Sequence, residues 1–244
     1  MKKICYLLFL ISTSFIVGQT STTELFKQAN KHYKEGTYEV ALDFYKKIEA
    51  RDTVSSALYH NMANSYYKLN KVAQTIYYYE KALQLDPLNE DAASNLTFAR
   101  RMTIDTIEEL PKTFLQKLES NYIQKLSYNQ WSILAIILSF LAAIYFLLFY
   151  VSSSSNRKRL YFLISMLSFI LLVITLGISY MQHTKSATIK AAVIFTTKAS
   201  VNNAPTLNSE EIFVLHEGTK IMILDSVDNW KKIKLADGKI GWIS

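Results

Sequence analysis

The chain has 244 residues, a formal net charge of +7 and a pI near 9.2. Its lysines and arginines are scattered and mostly interleaved with Glu and Asp, so no basic stripe marks it as a nucleic-acid binder. Its one cysteine, Cys5, lies in an N-terminal leader; without that leader, disulfides, zinc–thiolate sites and cysteine nucleophiles are excluded together.

Met1-Lys2-Lys3 is a short positive region, Ile4 to Val17 is apolar, and Gly18-Gln19-Thr20-Ser21 is a polar exit. This is the layout of a secretory signal peptide, set at residues 1–18. An uncleaved signal anchor is the alternative, and either sends the next segment out of the cytoplasm.

Residues 22–103 carry an internal period. A shift of 34 positions brings Ala29 onto Ala63, Asn30 onto Asn64, Tyr33 onto Tyr67, Lys34 onto Lys68, Tyr45 onto Tyr79 and Lys47 onto Lys81. That period marks a helix–turn–helix solenoid. Small Ala29 and Ala63 allow close helix approach, as do Ala41 and its counterpart Thr75. Gly36 and its counterpart Asn70 suit a left-handed turn. Asp86-Pro87 closes the second unit, because proline ends a helix. The units are 22–55 and 56–89, followed by a capping helix at 90–103.

The run from Ala57-Leu58-Tyr59 through Asn64-Ser65-Tyr66-Tyr67-Lys68 to Asp86-Pro87 resembles the tetratricopeptide repeat. The first unit departs from that pattern at His32 and Thr53. Such stacks hold extended peptides on the concave face of their first helices. By this resemblance the groove positions are Phe26, Asn30, Tyr33 and Lys34, then His60, Asn64, Tyr67 and Lys68. The partner-binding set is Asn30, Tyr33, Lys34, His60, Asn64, Tyr67 and Lys68. The family's clamp for a C-terminal carboxylate is not expected, since Phe26, Ser94 and Phe98 occupy its positions. For the tyrosines, packing between helices is the competing reading. For the two asparagines it is a merely polar surface.

Residues 104–130 approach the hydrophobic part. Phe114, Leu115, Leu118, Tyr122 and Leu126 form one stripe of an amphipathic helix flanked by Lys112, Lys117 and Lys125. It either lies at a membrane interface or caps the repeat stack.

Two uncharged apolar runs follow, at 131–151 and 160–181. Each is long enough to cross a hydrocarbon core of roughly 30 Å. A pair of buried core helices is the alternative. The loop 152–159 contains Arg157-Lys158-Arg159, which by the positive-inside rule faces the cytoplasm. Both flanking parts then lie outside. The runs hold no Asp, Glu, Lys, Arg or His, which argues against an ion path or proton relay.

Residues 188–244 read as strands: Ala191 to Phe195, Phe213 to Leu215, Ile221 to Leu224, Trp230 to Leu235, and Ile240 to Ile243 after an Asp237-Gly238 turn. Leu215-His216-Glu217-Gly218-Thr219, Asp228-Asn229-Trp230 and Gly241-Trp242-Ile243 resemble a bacterial SH3-like domain. Another strand often follows the Gly-Trp pair in such domains, so the expectation here is either an incomplete barrel or an edge borrowed from elsewhere. Trp230 and Trp242 serve either as core or as ligand contacts. His216-Glu217 lacks a second histidine at position 220, which is lysine, so the zinc-protease motif is absent.

The expected fold is a multidomain membrane protein with an all-α repeat solenoid, two transmembrane helices and an all-β SH3-like small barrel. No catalytic residues, metal ligands or cofactor are expected, and the chain reads as a non-enzyme. The order of parts, with Asn95-Leu96-Thr97-Phe98-Ala99-Arg100 and Phe213 to Lys220, resembles the BatE family of the Bacteroides-type aerotolerance operon. That resemblance implies an inner-membrane protein with both end domains in the periplasm. It also implies membrane partners with von Willebrand factor A domains. Peptidoglycan is the competing ligand, acting through the SH3-like domain.

Overall fold

The computed structural model describes residues 22–188 and 190–244. The leader at 1–18, with Cys5, lies outside the described residues. The helical part comprises α1 (22–34), α2 (Tyr38–Glu49), α3 (Ser56–Lys68), α4 (Val72–Leu85) and α5 (Glu90–Arg100). The 34-residue period is visible in its details. Gly36 and Asn70 both take positive φ, +80° and +55°, at equivalent turns. Ser55 and Asn89 are equivalent N-caps, accepting from the Leu58 and Ala92 amides at 3.1 and 3.0 Å. Ala29, Ala41, Ala63 and Thr75 are buried, so the helices approach closely. Tyr45 and Tyr79 fill the gaps between helices and are also fully buried. Each such aromatic is worth about 1.5–3 kcal/mol in burial.

α7 (Tyr128–Val151) and α8 (Ser155–Thr188) form an antiparallel pair, each long and apolar enough to cross a membrane. Their contact seam is polar and small. Ser132 and Ser179 hydroxyls meet at 2.8 Å, and the Ser165 hydroxyl donates to the Ala142 carbonyl at 2.9 Å. Ala135 and Ser168 are buried beside them. The other faces are apolar and exposed, Phe140 at 64% and Leu163 at 61%, so the pair is not buried like core helices of a soluble domain. One boundary differs from the sequence reading. The stretch read as a loop, 152–159, leaves the helix only at 152–154, and Arg157-Lys158-Arg159 lie on α8. Nothing in Asn156 to Arg159 breaks a helix, so α8 starts earlier than its apolar run.

The expected amphipathic helix is shorter than its stripe. α6 (Phe114–Leu118) opens with a capping box between Thr113 and Gln116, then passes into a π-turn, Glu119–Ile123. A second capping box, Ser127 with Gln130, starts α7.

The C-terminal part is a six-stranded antiparallel sheet in the order β1-β4-β5-β6-β2-β3. The strands are β1 (Lys190–Val193), β2 (Lys198–Asn202), β3 (Glu211–His216), β4 (Lys220–Val227), β5 (Trp230–Lys234) and β6 (Ile240–Ile243). β2 is absent from the sequence reading. Only Ala199 and Val201 carry its inward face, between polar Lys198, Ser200 and Asn202. It flanks β6 through Asn202 and Trp242. Gly241 is required where these strands meet, because a Cβ there would stand 2.3 Å from Val201 Cγ1. The core is Ile194, Val201, Leu215, Ile221, Ile233 and Leu235. Ile107, from the segment after α5, packs onto it, and the Leu110 amide donates to the Ala236 carbonyl at 3.2 Å. The linker ahead of the hairpin thus touches the sheet domain through one core side chain and one backbone hydrogen bond.

Candidate functional site

α1, α3 and α5 form one side of the helical stack, and their polar side chains interlock. Asn30 Oδ1 accepts from the Tyr45 hydroxyl at 2.6 Å and from Asn61 Nδ2 at 2.9 Å. One period later, Asn64 Oδ1 accepts from the Tyr79 hydroxyl and, at 3.3 Å, from Asn95 Nδ2. The same three-residue arrangement thus repeats along the stack. Burial pushes the Tyr45 phenol up to about 12 and the Tyr79 phenol higher still, so both remain neutral donors. Burial also lowers the His60 pKa, against an opposing pull from Asp91. Neutral His60 is then suited to accept at Nε2, which lies 3.2 Å from Asn64 Nδ2 and 3.4 Å from Asn95 Nδ2.

Beside this ladder opens a pocket of about 280 Å³, lined by Tyr33, Asn64, Tyr67, Lys68, Tyr79, Asn95 and Phe98. Of the residues chosen from the sequence, Tyr33, Asn64, Tyr67 and Lys68 line it. Asn30 and His60 stand in the ladder, and Lys34 is exposed outside the lining. Sequence reasoning missed Asn61 and Asn95, although they too are one 34-residue period apart. It also gave Phe98 only the negative role of a missing clamp. Phe98 is 54% exposed, with the Arg101 guanidinium 5.3 Å from its ring centre. The pocket therefore offers aromatic faces, an ammonium and amide groups. Chemically, such a set can contact a peptide backbone and apolar or acidic side chains.

On the other side of the stack, α4 is covered by the sheet domain. α4 faces the six-stranded sheet through Tyr77, whose ring lies 5.8 Å from that of Phe195. Glu80 bridges Lys220 at 2.6 Å and Arg100 at 2.7 Å. Burial alone would raise the Glu80 carboxyl, but the Lys220 charge and the hydrogen bonds from Lys220 and Arg100 hold it below its ordinary value. α4 has no side-chain cap of its own, and Glu217 takes that place by accepting from the Ala73 amide at 3.3 Å. Gly218, at φ +88°, fits against Thr103, Val72 and Ile76, where a Cβ would come within 2.7–3.1 Å of their side chains.

Asp105 completes the junction. Its carboxylate accepts from the His216 amide at 2.7 Å and from the Thr219 hydroxyl at 2.6 Å, and lies 2.8 Å from His216 Nδ1. Burial would raise its pKa, and the bonds from Thr219 and His216 outweigh that and lower it. His216, examined in the sequence as a metal ligand, is thus a partner of Asp105. Trp230 and Trp242 are half-buried, with Lys232 Nζ 5.8 Å from the Trp242 ring centre.

A family model for the tetratricopeptide repeat matches residues 56–89, and one for the bacterial SH3 domain matches residues 199–244. Both are interaction modules rather than catalytic ones. No curated protein matches this chain.

Proposed function

We propose that this chain is a membrane-anchored scaffold that holds an extended segment of a partner protein in the groove of its helical repeats. The carrying observation is the asymmetry of the stack: one side presents Tyr33, Tyr67, Lys68 and Phe98 to an open pocket, while on the other α4 is covered by the chain's own sheet domain. The groove residues are Asn30, Tyr33, Lys34, His60, Asn64, Tyr67 and Lys68, joined by Asn95 and Phe98. Direct contact is made by those that line the pocket, while Asn30 and His60 act by holding the ladder.

The α7–α8 pair is the anchor, two spans with both end domains on one side. The basic Arg157-Lys158-Arg159 at the α7–α8 junction favours the cytoplasm for that end, which leaves the domains facing the periplasm. The layout agrees with the aerotolerance-operon resemblance, and von Willebrand factor A domain membrane proteins are the partners that resemblance favours. The test is affinity capture of the full chain from detergent extracts, wild type against Tyr67→Ala/Lys68→Glu/Phe98→Ala. The scaffold reading requires a partner with the wild type that the triple variant loses. Equal recovery with both would remove the groove from the account.

A second reading is that the sheet domain binds peptidoglycan, favoured by its match to the bacterial SH3 domain and by the half-buried Lys232–Trp242 pair. Sedimentation with purified peptidoglycan separates the two. The chain used must include the 103–110 linker, because Ile107 packs onto the sheet core.

A further inference from the structure

The hairpin has an open end, where α7 begins and α8 finishes. A short segment is fastened across that end. The Ile123 carbonyl accepts from Trp131 Nε1 at 3.0 Å and from Gln182 Nε2 at 2.6 Å, so one oxygen ties the π-turn to both helices. Lys185 pairs with Glu119 a turn away. That contact and a hydrogen bond from Gln124 hold the Glu119 carboxyl below its ordinary pKa. These ties put residues 119–123 at the level where the apolar runs of α7 and α8 end.

Four large apolar side chains of the segment are left uncovered. Phe114 and Leu115 are 74% exposed and Tyr122 is 68% exposed, with Leu118 also exposed. None belongs to the helical core or the sheet core. At helical spacing they share one face, adjoining the face that carries Glu119 and Ile123. Exposed Lys112, Lys117 and Lys125 flank them. A water-facing surface would gain nothing from four large apolar groups in so short a stretch.

We propose that Phe114, Leu115, Leu118 and Tyr122 form an interfacial collar that inserts into the headgroup–acyl boundary of the phospholipid bilayer around the hairpin, with Lys112, Lys117 and Lys125 meeting lipid phosphates. The occupant follows from continuity, since the segment is tied to the ends of the two helices whose own apolar faces require lipid. The collar rests on the membrane-anchor reading. It adds a mechanical consequence: the repeats and sheet domain are held close to the bilayer by a second attachment besides the helices.

The test uses the full chain with Cys5→Ser, carrying an environment-sensitive fluorophore on Leu115→Cys or, as reference, on Phe140→Cys in mid-α7. Both are reconstituted in vesicles of phosphatidylcholine and phosphatidylglycerol, with nitroxide-labelled lipids as quenchers. The collar predicts that Leu115→Cys loses most of its emission to a nitroxide near the headgroup and little to aqueous iodide. Phe140→Cys should respond to a deep nitroxide. Iodide quenching at Leu115→Cys, or shielding from both quenchers, overturns the collar while Phe140→Cys upholds the anchor. Absence of lipid quenching at both sites overturns the collar and the anchor together.

Discussion

The two sides of the helical stack are built from the same repeat and spend their polar groups differently. On the α1–α3–α5 side, amides and phenols bond to one another and leave aromatic rings and Lys68 facing a pocket. On the α4 side, charged groups are consumed by the sheet domain: Glu80 by Lys220, and the bare N-terminus of α4 by Glu217. Covering α4 within the chain leaves the α1–α3–α5 side open. The lesson is that the second module acts as a wall of the first, and not only as a separate binding unit on a tether.

The largest predicted effect breaks the covered side. Gly218→Val demands a positive φ that a β-branched residue resists, at about 1–3 kcal/mol, and adds a clash with Thr103, Val72 and Ile76 of similar size. The two modules should separate, read as an early melting step and new proteolysis at residues 103–113. Loss of the whole fold at once would mean the modules have no independent stability.

Asp105→Ala comes next. It removes the acceptor shared by His216 and Thr219 and should weaken docking by about 1.5–3 kcal/mol. Hydrogen exchange should rise at 103–110 and 216–219 but not across α1–α3. Asn64→Ala strikes the open side instead, depriving the Tyr79 hydroxyl and Asn95 of their acceptor at about 1–2 kcal/mol. Its exchange signature should appear in α3 to α5 and spare the sheet.

Acid separates the sides without mutation. Glu80 and Asp105 are both lowered in the docked form, so the undocked form binds more protons in the carboxylate range. The docking contribution is present above that range and is lost as pH falls through it toward the depressed values. Sheet–helix separation on acidification, followed by fluorescence at Trp230 and Trp242, should therefore precede melting of the repeats. Smallest in stability is Phe98→Ala, expected within about 0.5 kcal/mol because the ring is exposed. Its effect should fall on partner capture.

The helical half was legible because a strict period exposes itself. Alanines at 29 and 63, tyrosines at 45 and 79, and the Gly36/Asn70 turn follow from what two stacked helices need. The Asn61/Asn95 pair carries a weaker signal, because the first unit has Lys27 at that place and the asparagine recurs only between the second unit and the capping helix. The docking surface was not legible. Asp105 meets His216 across 111 positions of chain with no local pattern to announce it. β2 was hidden by having only two inward residues, Ala199 and Val201. The helix of α8 overran its apolar run because hydropathy marks where lipid begins, not where backbone hydrogen bonding does.

The most direct measurement is photo-crosslinking in cells, with a photoreactive residue at Phe98 in the open pocket or at Tyr77 under the sheet domain. The account predicts an adduct between Phe98 and another protein, and only an internal link from Tyr77 to the sheet. An intermolecular adduct from Tyr77 with none from Phe98 would contradict it.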